Sequence, residues 1–395
     1  MTTYDWIVVG NGIVGASVSY ELAKVGFSVL LLDRFPEIQN ATRYSYGGVA
    51  YWSGTTALSR QLCQEGIERH RLLSAELEAD TQFREVDLLL TIDRDHDPSQ
   101  AAATYAQCLI PPSILSPETA HEMEPLLNPA AIAGTLHFRH GHVSPEASVR
   151  AYNQAFLRVG GTIEIATVTG LVQSGHRVSG VTTTLGQHES DRVLLCTGGM
   201  SRTLLNSFGL SARVYFTQAE LIETPPAEIR LNTIVMPANL KRFALEAEAG
   251  AADMDSLWSE PGHEVTTAIL DAGVVQFQDG RLRMGQVSRT LTDPNASADP
   301  NVSEKLMRQA IGNILPTLQN LPGQWHSCLV AFSGDRLPLI GPLADAEGVY
   351  LFTGFSNPFV ILPPLAQRFA HYASGHSDAI ISQLSPNRFV ASVAS

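Results

Sequence analysis

Read as apolar and polar positions, the first thirty-three residues fall into three pieces. Tyr4 to Val9 is a short apolar run rich in β-branched residues, the pattern of a strand buried on both faces. A helical stretch follows from about Ile13 to Val25, and a second apolar run, Val29-Leu30-Leu31-Leu32, closes on Asp33. Leu58 to Ala79 carries apolar residues near helical spacing among many charges. After the turn Gly141-His142-Val143-Ser144, Pro145 suits the start of a helix that reaches about Val159 and stops at Gly160-Gly161. Strands are expected at Thr162 to Val168, Leu171 to Val172 and Arg177 to Thr184. Another buried strand, Arg192 to Cys196, runs into the turn Thr197-Gly198-Gly199, with a helix from Met200 to Phe208. From Val214 to Val287 the pattern changes to short alternating stretches, with a hairpin from Val274 to Met284 turning at Asp279-Gly280. The last part returns to the first type. A strand near Val349 to Thr353 precedes the turn Gly354-Phe355-Ser356-Asn357-Pro358 and a helix from about Pro363 to Ser374.

The first connection carries the most specific chemistry. Gly10 permits a tight turn, Gly12 lets the backbone approach a diphosphate, and Gly15 lets the helix pack close to the strand. The helix aims unpaired N–H groups and its positive dipole end at the phosphates. Asp33 then accepts from a ribose 2′-OH, which disfavours a 2′-phosphate and leaves NAD or FAD. The fold expected is α/β with an α+β insert: a Rossmann-like nucleotide-binding domain interleaved with an antiparallel-sheet domain. The expected division is 1–82, 143–212 and 326–395 for the first and 83–142 and 213–325 for the second. Asn40 to Gly48, small, polar and glycine-ending, is expected as a ligand-facing loop.

Composition narrows the partners. At 395 residues the chain is long for one core, so two domains are expected. A formal charge of −13 argues against nucleic acid or an anionic membrane surface. Cys63, Cys108, Cys196 and Cys328 are widely spread and form no CxxC pair, which suits a reducing cytoplasm and no zinc site. His137, His140 and His142 cluster without an HxxxH pattern, and no metal is expected there. The glycine motif begins within a few residues of Met1, so no signal peptide is expected. Glu21 and Lys24 break the apolar stretch, so no membrane span is expected.

The order of motifs resembles the D-amino-acid oxidase superfamily of flavoproteins, which includes glycine oxidase and sarcosine oxidase. The resemblance covers essentially the whole chain. It rests on Gly10-Asn11-Gly12-Ile13-Val14-Gly15 with Asp33, on Ala41-Thr42 to Gly47-Gly48, on Gly141 to Pro145, and on Val168. It also rests on Thr197-Gly198-Gly199-Met200-Ser201, and on Asp335-Arg336-Leu337-Pro338-Leu339-Ile340-Gly341 followed by Gly354-Phe355-Ser356. The family implies FAD. It places Thr42, Arg43, Gly47 and Gly48 along the pyrophosphate and flavin, with Asp33 and Arg34 at the adenosine end and backbone contacts from Val168 to adenine. Gly198 and Gly199 would sit near the pyrophosphate. Gly354 to Val360, including Asn357 and Phe359, would sit near the ribityl chain and flavin.

Three departures bear on the substrate. Many relatives hold a substrate carboxylate with an arginine five residues before the aspartate matching Asp335, where this chain has Val330. Valine cannot replace bidentate binding. The sarcosine oxidase branch has a lysine where this chain has Ile361. A glycine usual late in the C-terminal loop is Phe359, and Pro358 removes an N–H. A larger or less anionic amine than glycine or sarcosine is therefore expected. Cys328 lies at the spacing where that branch links a cysteine to the flavin, and the other reading is a small buried strand residue.

Substrate-pocket candidates are Tyr51, Trp52, Tyr215, Gln276, Gln278 and Gln286, with Arg283 or Arg289 as stand-ins for the lost arginine. No catalytic base is assigned, because the flavin carries the chemistry while the protein orients and excludes water. The expected activity is oxidation of an amine or amino acid at its C–N bond, by hydride transfer to flavin N5, with an imine and hydrogen peroxide as products. The alternatives are a dehydrogenase passing electrons to a quinone or carrier, and a non-catalytic flavin-binding protein.

Overall fold

The computed structural model describes residues 3–174, 177–296 and 298–389. Two sheets organise them. The first runs in the order Leu339–Pro342, Val349–Thr353, Gly186–Leu195, Thr3–Val9, Val29–Asp33, Thr162–Ile165. From Val349–Thr353 to Thr162–Ile165 every neighbouring pair is parallel. Its central strands are buried on both faces. Trp6, Val8, Leu31 and Leu194 enter one apolar cluster, while their neighbours Ile7, Val9, Leu30, Leu32, Val193 and Leu195 enter another.

The helix Ile13–Lys24 packs on that sheet between Pro145–Arg158 and Pro358–Ala373 and is buried nearly all round. Gly15 is what allows it, because a Cβ there would overlap the Gly10 carbonyl oxygen. Gly10 itself has φ +105°, where a side chain is strained, and its Cβ would press on the Cys196 carbonyl.

The second sheet runs Gln324–Ser333, Val214–Glu223, Leu282–Arg289, Ile269–Gln276, Ile234–Pro237, Arg84–Asp93, Ile132–His142, Gly48–Val49. It is antiparallel except where Ile234–Pro237 joins Arg84–Asp93. The strand Gln324–Ser333, expected to divide near 326, pairs along its whole length with Val214–Glu223 in this sheet.

Four local expectations change. Asn40 to Gly48 is not all loop: Asn40–Tyr44 winds into a helical turn, drawn over the first helix by a hydrogen bond from Ile13 N–H to Thr42 Oγ1 at 3.1 Å. The expected strand Thr162 to Val168 ends at Ile165, because Ala166 N–H turns to the Asp33 carbonyl at 2.8 Å. The helix after Gly198–Met200, which is a single 3₁₀ turn, spans Ser201–Ser207.

The C-terminal helix begins at Pro358 and runs through Pro363 and Pro364. An interior proline lacks the N–H that the carbonyl four residues earlier needs. The Phe359 carbonyl, released by Pro363, bonds His70 Nε2 at 2.6 Å. The Val360 carbonyl, released by Pro364, lies so close to Gly66 that a Cβ would collide with it. Burial pushes His70 down to about 4, so its ring is neutral and Nε2 donates.

Candidate functional site

A cleft of about 890 Å³ runs from the N-terminus of the Ile13–Lys24 helix to the face of the second sheet. Its floor at one end is Gly10, Gly12, Ile13, Val14, Asp33 and Arg34, with Thr42 and Val168 beside them. Thr197, Gly198 and Gly199 form the opposite wall, and Gly354, Phe355, Ser356 and Phe359 continue it. Cys328, Val330 and Gln286 line the far end.

The cleft is open where side chains are missing. A Cβ on Gly12 would meet only Thr42 Oγ1, at 3.1 Å, and one on Gly198 would meet nothing within 4 Å. The helix N-terminus at Gly12 has no side-chain cap. Such an end supplies N–H groups and positive potential to an anion, so the residues present fit a dinucleotide's diphosphate. Asp33 accepts from Asn11 N–H at 2.6 Å and Phe35 N–H at 3.0 Å, which fixes its carboxylate at the cleft rim.

Other expected cofactor positions stand just outside. Asn11 lines a smaller polar cavity of about 380 Å³ that shares Gly12 and Asp33 with the cleft, and Arg43 lines it too. Gly15 is a packing residue. Gly47 (φ +68°) closes against the Val143 carbonyl, and Gly48 pairs with His142. Asn357 immediately precedes the helix Pro358–Ala373 without a side-chain capping bond, and Val360 is buried within that helix.

The substrate candidates separate sharply. Gln286 lines the cleft and donates to Ser288 Oγ at 2.9 Å. Tyr51 is buried with its hydroxyl on Glu85 at 3.2 Å, and Trp52 stacks on Phe138 and donates to His140. Tyr215 belongs to an aromatic cluster with Trp258 and Phe332, its hydroxyl on Asp255 at 2.8 Å. Gln276 closes its own hairpin, bonding Leu231, Ile229 and Gly280, and Gln278 is an exposed turn residue. None of these five lines the cleft. In the first four the side chain satisfies a backbone or side-chain partner elsewhere, which period-two alternation cannot foresee.

Neither arginine stand-in is free. Arg289 pairs with Glu220 at 2.8 Å. Arg283 is fully buried and shares Glu146 and Glu223 with Arg43 and Arg281. It also donates to the Ser45 carbonyl. Burial alone would raise Glu223, but hydrogen bonds from Arg43 and Arg283 outweigh it and hold the carboxyl at about 2. Five charges thus tie the nucleotide-binding layer to the second sheet.

The three clustered histidines serve different partners. His137 bonds Asp87 at 2.8 Å, His140 accepts from Trp52, and His142 lies against Phe277. Burial lowers His140 to about 4 and His142 to about 3. Among the described residues no group of three His, Cys, Asp or Glu side chains is placed to hold a metal.

Sequence reasoning missed Arg242 and Glu246. Arg242 lines the cleft from the helix Lys241–Ala249. Its Nε donates to Glu246 at 3.0 Å, while Glu246 also receives Ser356 Oγ at 2.6 Å and Thr217 Oγ1 at 3.3 Å. The Arg-x-x-x-Glu spacing within 241–249 was the available signal, an i,i+4 pair of helical period among strands.

A parallel sheet whose first turn has the room and the helix N-terminus that suit a diphosphate, opening into a chamber walled by an antiparallel sheet, has the build of a dinucleotide-binding protein. The chain belongs to the FAD-dependent oxidoreductase family (DAO), whose family model matches residues 5–372. FAD is its cofactor, and it is an enzyme; the non-catalytic alternative falls. It is 26% identical over 386 residues to glycine oxidase of Pseudomonas putida, covering 93% of this chain and 94% of that one. Among solved structures it is similar to glycine oxidase from Geobacillus kaustophilus, with a TM-score of 0.78 at 20% identity, covering 99% of this chain and 100% of that one. It is also similar to L-proline dehydrogenase from P. horikoshii, with a TM-score of 0.75 at 18% identity and 98% of each chain covered. No described helix is long and apolar enough to cross a membrane.

Proposed function

We propose that the enzyme oxidises the C–N bond of a small amine or amino acid, with oxygen as acceptor and hydrogen peroxide as the second product. One observation carries this reading: the glycine-built cradle at Gly10 and Gly12 and the polar side chains of Gln286, on the second sheet, and Arg242, on the helix Lys241–Ala249, belong to one continuous cleft. The relatives named glycine oxidase support the substrate class and the acceptor. FAD, when bound, supplies the two-electron acceptor for the hydride leaving the α-carbon.

The chain's own residues then do three things. Gly12, Ile13, Thr42, Gly198 and Gly199 would hold the diphosphate, and Asp33 and Arg34 the adenosine end. Glu246 fixes Ser356 and Arg242 against each other and so orients the chamber wall. Phe355, Phe359 and Val330 exclude water from the reacting carbon. Four unpaired cysteines suit a reducing cytoplasm.

The named relative L-proline dehydrogenase keeps a quinone- or carrier-linked reaction as the second reading. An anaerobic panel of amines and amino acids, followed by flavin absorbance, tests the first claim, and bleaching by at least one is expected. Readmitting air then separates the acceptors. Stoichiometric peroxide supports the oxidase, and dye reduction without peroxide supports the dehydrogenase.

A further inference from the structure

The chamber end of the cleft carries one charged side chain among the described residues. Asp33 and Arg34 line the nucleotide end, and Arg242 is the remaining charge on the walls. The helix Lys241–Ala249 brings it there, and Glu246, one turn on, holds its Nε at 3.0 Å. Glu246 is itself fixed from two sides, by Ser356 Oγ at 2.6 Å and Thr217 Oγ1 at 3.3 Å. Thr217 pairs with Val330 and Ala219 with Cys328 in the antiparallel register, so these four residues share one sheet face. The bonds through Glu246 thus tie Arg242 to the face from which Ala219, Cys328 and Val330 line the cleft.

Glu246 occupies only the Nε side of the guanidinium. Nη2 is buried and has no hydrogen-bond partner among the described residues. Nη1 is also without a hydrogen bond there but is not buried, and 23% of the side chain stays accessible, which leaves an approach to the group. Glu246 is the one carboxylate that pairs with Arg242 among the described residues. Asp271 lies near enough for Arg242 to draw on its charge, yet the two form no ion pair, and burial pushes that carboxyl up. A buried donor without an acceptor is costly, and a ligand oxygen relieves the cost. The free Nη1–Nη2 edge of a guanidinium matches the two oxygens of a carboxylate.

We propose that Arg242 anchors a carboxylate of the substrate, so that the site takes amino acids in preference to simple amines. This deepens the reading of the cleft as an amine-oxidising site and rests on it. Arg283 and Arg289 are spent on glutamates and do not line the cleft. The step from Val330 to a less anionic substrate then falls, because the cation enters the chamber from a helix instead of from that strand.

Pairs differing only in the carboxylate provide the test on the intact flavoprotein: proline against pyrrolidine, N-methylphenylglycine against N-methylbenzylamine, and N-methyl-β-alanine against N-methylethylamine, chiral compounds as racemates. In anaerobic stopped flow the amino acid of at least one pair is expected to reduce the flavin with an efficiency about 10–100-fold above its amine, the worth of a hydrogen bond to a charged group. Arg242→Met with Glu246→Gln removes the cation without stranding the fully buried carboxylate. It should bring that ratio near one, by loss on the amino-acid side alone. If this double variant holds no flavin, Arg242→Lys decides: it keeps a charge for Glu246 but not the forked edge, and the ratio should fall several-fold. An unchanged ratio overturns the role of Arg242 and leaves the amine-oxidising function standing. So does an equal loss for both members of a pair, since a cation that serves the flavin or the fold acts on both. Wild-type amines that match or exceed every amino acid do the same. Failure of every compound, together with the wider panel of amines and amino acids, overturns both.

Discussion

The two ends of the cleft are built by opposite means. The floor of the diphosphate end is backbone and small residues, with Gly10, Gly12, Ile13 and Asp33 drawn from one strand–helix–strand unit and Thr42, Gly198 and Gly199 set against it. The chamber wall is side chains drawn from distant parts of the chain, among them Arg242, Gln286, Cys328 and Ser356. Positions in the cradle are constrained by what cannot be added, whereas those in the wall are constrained by which charges must find partners. Cofactor binding is therefore encoded locally and substrate choice by long-range pairing, so the second can change while the first stays put.

The sharpest way to break this contrast lies inside the cradle, where two glycines do different work. Gly15→Val places its side chain into the Gly10 carbonyl and Cys196, against backbone that cannot move, so no stable flavoprotein is expected. Gly12→Leu has room in the apo cleft and should stay folded, with a melting temperature within a few degrees of wild type. It should lose flavin, because its side chain fills the diphosphate's place, and equilibrium dialysis with FAD measures this. A fully flavinated Gly12→Leu would remove the diphosphate from that position.

The next largest effect is expected at the charged junction. Glu223→Gln leaves Arg283, which is fully buried, without half of its compensation. Removing one partner of such a network costs about 3–5 kcal/mol. Urea unfolding should show it as a lower midpoint at unchanged slope. Arg283→Met combined with Glu223→Gln should recover part of the loss, since the stranded charge is gone. A change below about 1 kcal/mol in the single variant would mean that solvent reaches the junction and that the two layers are not locked by it.

How much of this was readable follows the same division. The Tyr4–Asp33 unit was legible because each signal acts on its neighbours: apolar alternation, glycine turn, helix, acid. The start of the C-terminal helix at Pro358 was not, because its two interior prolines are made tolerable by His70 and Gly66, nearly three hundred residues away in sequence. Gln276 and Tyr215 were read as pocket residues from strand position alone, yet their polar atoms are consumed by Leu231 and Asp255. Gln286 does line the cleft, yet nothing in the alternation of its own strand sets it apart from them.

Acid should weaken both ends, and a single substitution can assign the share of one. His70, His140 and His142 have folded values near 4, 4 and 3 because burial disfavours their charged forms. Their unfolded value is about 6.5, so the unfolded chain takes up protons first as pH falls. The stability they contribute is complete above pH 6.5 and drains away progressively from there to about pH 4 and below. For one such group the loss at pH 5 is about 2 kcal/mol. His70→Gln keeps a donor for the Phe359 carbonyl but does not titrate, so its melting temperature should fall less steeply between pH 7 and 5. Identical pH slopes would place a partner for the charged ring beneath the helix Pro358–Ala373.

The smallest effect is expected in the chamber wall, at Cys328. A thioether to the flavin needs the sulfur as thiolate when it adds to the ring system, then loss of two electrons from the adduct. Burial pushes this thiol up to about 12, and the opposing pull of Arg242 and Arg283 does not offset it. The thiolate fraction at neutral pH is then about one in 10⁵, too small to favour attack. FAD should accordingly leave with the supernatant when the protein is precipitated in acid, and Cys328→Ala should bind FAD as tightly as wild type. Yellow colour remaining with the pellet would show that bound flavin rebuilds the surroundings of Cys328, and that the chamber wall, unlike the cradle, is not formed until the cofactor arrives.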